Sequence, residues 1–429
     1  MLDPKFVREN IDQVKENLKK RNLDPKLADQ WLDLDQKRRE ITVKIENLRA
    51  KRNQLTEQIK KNPKDQALLK EAKKIKQDLQ DFEAPLPDLE AAWQDLLYRL
   101  PNIAAEDIPV GKDDTENVVI KTVGDLPKFD FKPLDHVDLG EKLDIIDVKK
   151  AGRLSGSRFG YFKNEAALLE MALMFYAFKK LADKGFHAMI PPAMIKSQTE
   201  WACGYADNKN LFNAYYSIPE DDLIFISSSE HSVVPYHGGE VLNPNNLPLK
   251  YVNFSPCFRR EAGTYGKDTR GLFRVHFFNK VEMNIFSLPD YQVSDQICLE
   301  MLQNEEELVG ELGLSYQVKN CCAGDLPQPN RRMYDLEVWF PGQNAYRETH
   351  SCSNCGDYQA RRLDTKTDFK GKKEFVHILN ATMATDRLVL AILENFQQKD
   401  GSVIIPEVLQ SLVGKDRITS SPLHTPGVG

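Results

Sequence analysis

Residues 25–100 constrain the fold most. Their apolar side chains recur at alternating steps of four and three, the period of a coiled-coil seam. Ile41, Ile45, Leu48, Leu55 and Ile59 form one run. Leu68, Ala72, Ile75, Leu79, Phe82, Leu86, Leu89, Trp93, Leu96 and Leu100 form a second. Asn62-Pro63-Lys64-Asp65 between them reads as a turn, and a short turn between two such helices makes an antiparallel hairpin. Two helices of a compact bundle would share this period, but the narrow stripe and polar flanks favour a protruding arm. Pro85 and Pro87 fall inside the second run. A mid-helix proline removes a hydrogen bond and costs about 3 kcal/mol, so a kink or break is expected near residues 81–86. Ahead of the arm, Met1–Asn22 reads as one amphipathic helix carrying Leu2, Phe6, Ile11, Val14 and Leu18.

The chain is 429 residues long with a formal net charge of -6, so bulk charge does not announce a nucleic-acid binder. Its distribution is more telling. Lys37, Arg38, Arg39, Lys44, Arg49, Lys51 and Arg52 precede the turn, and Lys60, Lys61, Lys64, Lys70, Lys73, Lys74 and Lys76 surround and follow it. The acids there are Glu40, Glu46, Glu57, Asp65 and Glu71. A solvated coiled coil mixes both signs. This imbalance instead resembles an electrostatic footprint for a phosphate backbone.

No run approaches the 18 or so apolar residues that span a bilayer. The polar, early-acidic N-terminus lacks the apolar core of a signal peptide, which makes the cytoplasm the expected location. An odd cysteine count of 7 suits free thiols. Cys352-Ser353-Asn354-Cys355 is a single CxxC, which Cys321, Cys322 or His350 could complete as a zinc site, but nothing repeats it at finger-like spacing.

Asn253–Ile285 carries the chemistry: NFSPCFRREAGTYGKDTRGLFRVHFFNKVEMNI. It reads as two strands joined by the turn-rich loop 262–271. A surface hairpin with a solvated tip is the bland alternative. Against it, Arg259, Glu261, Arg274 and Glu282 lie within the apolar runs, where a bare charge is costly unless paired or ligand-bound. An arginine fork suits a phosphate, a carboxylate can accept from an exocyclic amine, and Phe278 offers a stacking face. A nucleotide site follows from these residues alone.

The same stretch, FRREAG…TRGLFRVHFFNKVE, closely resembles motif 2 of class II aminoacyl-tRNA synthetases, specifically the seryl-tRNA synthetase family. Further resemblances run along nearly the whole chain. They include the apolar helix over 164–185 with GFHAMIPPAMI (motif 1), Leu223–Glu230 ending in Ser228-Ser229-Glu230, YDLEVWFPGQNAYRETHSCSNCGDYQARR at 334–362, and FVHILNATMATDRLVLAILENFQ ending in motif 3. Four departures stand out. Ser228 replaces a threonine, Phe277 stands where glutamine is common, His350 stands where a small residue is usual, and the Asn380–Arg387 segment has no glycines and is one residue short.

The resemblance implies an α+β fold: an antiparallel sheet flanked by helices, with an N-terminal helical coiled-coil arm. The expected domains are 1–110 for the arm, 111–418 for the catalytic domain and 419–429 for a disordered tail. It implies a serine–tRNA ligase that uses ATP and Mg²⁺, acts on tRNA(Ser) and by extension tRNA(Sec), and dimerises through motif 1. Arg259 and Arg387 would be catalytic. Arg259, Arg260, Glu261, Arg274, Val275, Phe278, Glu348, Ser351 and Arg387 would hold ATP, with Glu348 and Ser351 also holding the metal. Ser228, Ser229, Glu230, Arg259, Glu282, Asn380 and Thr382 would form the serine pocket. The arm would grip the tRNA, largely by shape and backbone.

Overall fold

The computed structural model describes residues 1–205, 215–261 and 271–419. Most of the loop 262–271 and nearly all of the tail 419–429 lie outside the described residues. The chain divides into two compact units, Met1–Pro101 and Asn102–Gly429.

The first unit contains α1 (Pro4–Glu9), α2 (Ile11–Lys20), α3 (Lys26–Lys61), α4 (Gln66–Glu83) and α5 (Leu86–Arg99). The single N-terminal helix expected from the sequence is two. Asn10 leaves helical geometry, and its side-chain amide donates to the Phe6 carbonyl at 3.0 Å, competing with the backbone pattern. α3 and α4 form the hairpin. Asp65 caps α4 by accepting from the Ala67 and Leu68 amides. Ile45, Leu55, Ile75 and Leu79 form the buried seam, packed by Ile41, Leu48, Ile59, Leu68, Ala72, Phe82 and Leu86. The break falls at Ala84-Pro85, and Pro87 sits in the first turn of α5, where no helical bond is lost. At the same end of the seam, away from the turn at 62–65, Asp35 is buried. It accepts from Arg8 Nη1 at 3.2 Å and from Trp93 Nε1 at 3.0 Å.

The second unit is built on an eight-stranded sheet. Its strands are β1 (Val118–Val123), β2 (His187–Met189), β3 (Leu249–Phe258), β4 (Phe277–Ser287), β5 (Tyr316–Asn320), β6 (Arg332–Phe340), β7 (Ala345–Asn354) and β8 (His377–Thr385). Their spatial order is β1-β5-β6-β7-β8-β4-β3-β2. Every neighbouring pair is antiparallel except the edge pair β2 and β3, which is parallel. Helices Asn164–Asp183, Tyr291–Glu311 and Asp386–Asn395 pack against the sheet. Strand alternation then sorts the residues. Val281, Met283 and Ile285 of β4, Leu379 and Ala381 of β8, and Leu336, Val338 and Phe340 of β6 enter the main core. Their neighbours, among them Lys280, Glu282, Asn380, Thr382 and Asp335, take the other face.

Residues 102–110, expected with the arm, belong to this second unit. The Asn102 amide donates to Gln328 O and Ala105 N to Arg331 O, while Ala105 and Ile108 pack with Cys321, Leu326 and Met333. Apolar burial against the sheet outweighs the sequence continuity with the arm.

Candidate active site

The site is set by four central strands. β3 ends at Phe258, and the chain then presents Arg259 and Glu261. β4 resumes after the loop with Phe278, Lys280 and Glu282 on one face. β7 supplies Glu348, Thr349 and Ser351, and β8 leads through Thr382 and Thr385 into Arg387, at the start of helix Asp386–Asn395. With Leu272, Phe273, Arg274, Val275 and Asp386, all of these side chains except Glu282 line one solvent-open cleft with about 670 Å³ of empty space; Glu282 is buried beside it, paired with Lys280 and opposite Thr382 in the ladder.

The cationic end of the cleft is held in place by its own contacts. Arg259 Nε donates to Ser227 O at 3.3 Å, and its guanidinium lies 5.0 Å over the Phe278 ring. Arg274 Nη1 donates to Glu261 Oε2 at 3.0 Å, and Arg158 approaches the same oxygen at 3.9 Å. Arg387 donates through Nη1 to Glu348 O at 2.7 Å and through Nε to Phe273 O at 3.2 Å, with its guanidinium 4.5 Å over the Phe273 ring. Burial lowers the Arg387 pKa. Glu348 opposes that shift, and the like charges of Arg259 and Arg274 add to it. Three guanidiniums that repel one another are poised for an anion of high charge.

Beside the cleft, past Lys280 and Thr382, lies a buried acidic cluster. Glu282, 1% exposed, accepts through Oε2 from the Ser228 and Ser229 hydroxyls and from the Glu230 amide at 3.0 Å. Its Oε1 accepts from Lys280 Nζ at 2.6 Å. Burial alone would raise its pKa, but Lys280 and the two hydroxyls outweigh burial and hold the carboxyl below its ordinary value. Glu230 behaves oppositely. Its pKa is raised, first by burial and also by the charge of Glu282, and its carboxyl accepts from Tyr205 OH at 3.0 Å and Gln359 Nε2 at 2.6 Å. Two adjacent acids are thus driven apart, one ionised and one pushed toward neutral.

Most of the residues anticipated from the sequence converge here, with three qualifications. Arg260 is exposed and is not among the residues lining the cleft. Ser229 and Glu230 lie beneath the floor, where Ser229 serves Glu282 and the Glu230 carboxyl turns toward Tyr205 and Gln359. Asn380 is buried two residues deeper along β8 than Thr382, between Asn284 and Ser353 in the ladder. The CxxC sulfurs take different partners: Cys352 Sγ lies 3.6 Å from Cys298 Sγ, and Cys355 Sγ reaches Asn330 Oδ1 at 3.4 Å.

Several lining residues were not anticipated. Lys280 is the most important, and its place two residues before Glu282 on a strand was the available signal, since i and i+2 share a face. Thr385 and Asp386 also line the cleft; they fall inside the motif 3 stretch, but neither carries an expected role there, while Arg158, outside the lining, approaches Glu261 from a segment with no local motif. Thr385 Oγ1 is buried in the cleft wall with no protein partner among the described residues. His350 is also buried. Its Nε2 lies 3.1 Å from Met383 O, and burial lowers its pKa to about 3.

Comparison with known proteins agrees with this geometry. Residues 215–396 match the tRNA synthetase class II core domain (G, H, P, S and T), and residues 1–104 match the seryl-tRNA synthetase N-terminal domain. A serine–tRNA ligase from Treponema denticola is 40% identical over 425 residues, covering 97% of this chain and 100% of the relative. The chain belongs to the seryl-tRNA synthetase family. Two solved structures of that family match nearly the whole chain. The seryl-tRNA synthetase of Pyrococcus horikoshii complexed with ATP matches with a TM-score of 0.92 at 38% identity, over 98% of this chain and 100% of the other. The cytoplasmic serine–tRNA ligase of Naegleria fowleri in complex with AMP matches at 0.87 and 31% identity, over 98% and 99%. Among the described residues, no helix is long and apolar enough to cross a membrane.

Proposed function

We propose that this chain is an ATP-dependent serine–tRNA ligase. One observation carries the reading. A cleft lined by three guanidiniums reaches Lys280 and Thr382, whose neighbour Glu282 is buried and accepts from the Ser228 and Ser229 hydroxyls. The cleft suits a triphosphate, and the pocket beside Glu282 suits a small amino acid with an ammonium and a hydroxyl. The ATP and AMP complexes of the two homologous structures support the same assignment.

In the first step a serine carboxylate oxygen attacks the α-phosphorus of ATP. The bond to the β-phosphate oxygen breaks, giving seryl-adenylate and pyrophosphate. In the second, a ribose hydroxyl of the terminal adenosine of tRNA attacks the adenylate carbonyl and AMP leaves. Neither step needs a protein nucleophile; orientation and charge stabilisation suffice. Arg259 holds the α-phosphate and the serine carboxylate, while Arg274 and Arg387 hold the outer phosphates. Glu261 accepts from the adenine amine, with Val275 and Phe278 against the base. Glu282, Ser228 and Thr382 enclose serine, with Ser229, Glu230 and Asn380 setting the pocket floor. The carboxylate of Glu348 and the hydroxyl of Ser351 are hard oxygen donors on one cleft wall, which fits Mg²⁺. The bound ion would neutralise charge on the phosphates.

The lysine- and arginine-rich arm binds tRNA(Ser), and by family likeness tRNA(Sec), in the cytoplasm. The active species is a homodimer. Leu168, Met171 and Phe175 on helix Asn164–Asp183 are exposed, Met171 by 70%, and their spacing places them along one side of the helix. Serine-dependent ATP–pyrophosphate exchange tests the reading. Robust exchange is expected, and its absence in folded protein would leave a binding paralogue instead.

A further inference from the structure

β7 and β8 pair from Asn354↔Leu379 through Ser353↔Asn380 to Cys352↔Ala381, and there their ladder ends. Beyond it the cleft opens, with Glu348, Thr349 and Ser351 on one side and Thr382 and Thr385 on the other. On its opposite edge β8 slips register against β4. Glu282 faces Thr382 but Val281 faces Ala384, so Met383 has no cross-strand partner. Met383 and Ala384 consequently both turn into the core, as a bulge requires.

His350 spans the split at this point. Its ring is 1% exposed. Nε2 lies 3.1 Å from the Met383 carbonyl, and Nδ1 lies 2.8 Å from Thr349 Oγ1. A carbonyl only accepts, so Nε2 carries the proton; a neutral ring then accepts at Nδ1 from the Thr349 hydroxyl, whose alternative acceptor, Leu336 O, is farther at 3.3 Å. One turn further along the cleft, the Arg387 guanidinium makes a second tie across the same split to Glu348 O. Between the two ties lie only Ala384, Thr385 and Asp386.

We propose that His350 is a positioning residue for ATP: by holding Met383 O across the open end of the β7–β8 ladder, it fixes where Arg387 meets the outer phosphates. The inference rests on the ATP assignment above. Serine-pocket residues depend on His350 less, because Thr382 is held independently by its ladder partner Glu282.

The test is steady-state ATP–pyrophosphate exchange by the full-length protein, with the KM for ATP and for serine measured separately. His350→Leu keeps volume and removes the donor. His350→Gln restores an amide N–H near the position of Nε2, whereas His350→Asn is too short to reach Met383 O. The expected result is a KM for ATP raised about tenfold in the Leu and Asn variants, as for one lost hydrogen bond. The KM for serine should change less than about twofold, and the Gln variant should return toward native values. If the Leu variant fails to fold, the Gln–Asn contrast decides alone. An unchanged KM for ATP, equal effects on both substrates, or Gln behaving like Asn would overturn the proposal. Absence of exchange in the native protein would instead overturn the ATP assignment, and this inference with it.

Discussion

Lys280 and Glu282 share one face of β4, and each neutralises the other in a place where neither could stand alone. Replacing Glu282 with Gln removes the anion from the serine pocket and leaves Lys280 buried without its counter-ion. Serine kcat/KM should fall by at least about 100-fold, since a site built around buried polar groups loses heavily when one is unpaired. The KM for ATP should move much less, and both constants come from one exchange assay. Arg387→Ala should lower kcat/KM for ATP by about 10²–10³ through loss of phosphate charge stabilisation. His377 shows how burial sets acid stability. Burial lowers its pKa to about 4, while Ser294 Oγ lies 2.9 Å from its Nδ1. The unfolded chain, with an ordinary value near 6.5, therefore binds more protons than the folded one between about pH 6.5 and 4. Stability should fall as pH drops through that window, by up to about 1.4 kcal/mol per unit from this group. Denaturant melts of the native protein and His377→Gln at pH 7 and 5 should show a shallower pH dependence in the variant. Residues on contiguous motifs, such as Arg259, Glu261 and Glu282, were readable from the sequence. Arg158 was not, because only tertiary packing brings it to Glu261; Thr385 lies in a readable stretch but its residue type alone names no role, and His350 had no visible role until the split between β7 and β8 was seen.

At the scale of elements, the hairpin of α3 and α4 was the most legible part of the chain. A heptad repeat fixes which side chains meet, and every seam residue between Ile41 and Leu86 named from the pattern packs in the cluster or against it. The break at Pro85 was equally readable, because proline acts locally. The split of the first helix at Asn10 and the bulge at Met383 were not, since each depends on a particular side chain or register. The basic residues of the hairpin are largely exposed. Lys70, Lys73 and Lys74 lie on α4 and carry the prediction for this scale. Changing all three to Glu should weaken tRNA binding and flatten its dependence on salt, by roughly 0.7–0.9 in log–log slope for each phosphate no longer neutralised. Serine-dependent pyrophosphate exchange should stay native. Filter binding across a salt series measures the first effect, and unchanged affinity would remove the arm from tRNA recognition.

For the whole molecule, Leu168, Met171 and Phe175 make one side of helix Asn164–Asp183 an exposed apolar surface. Met171→Asp should convert a dimer into a monomer in sedimentation analysis, and a native protein that sediments as a monomer would contradict the proposed assembly. Sequence periodicity marks that helix as apolar but does not separate its core face from its exposed one, so this feature became visible only with the fold. Everything proposed for the molecule depends on the guanidinium-lined cleft and the Glu282 pocket forming one active site for ATP and serine. ATP–pyrophosphate exchange by the purified protein with serine, threonine, alanine or no amino acid probes both halves of that site at once. Strong exchange is expected with serine and, because alanine lacks the hydroxyl, exchange weaker by about 10⁴ with alanine. Folded protein that gives no exchange with serine, or equal exchange with alanine, would show that the cleft and the Glu282 pocket do not work as one site.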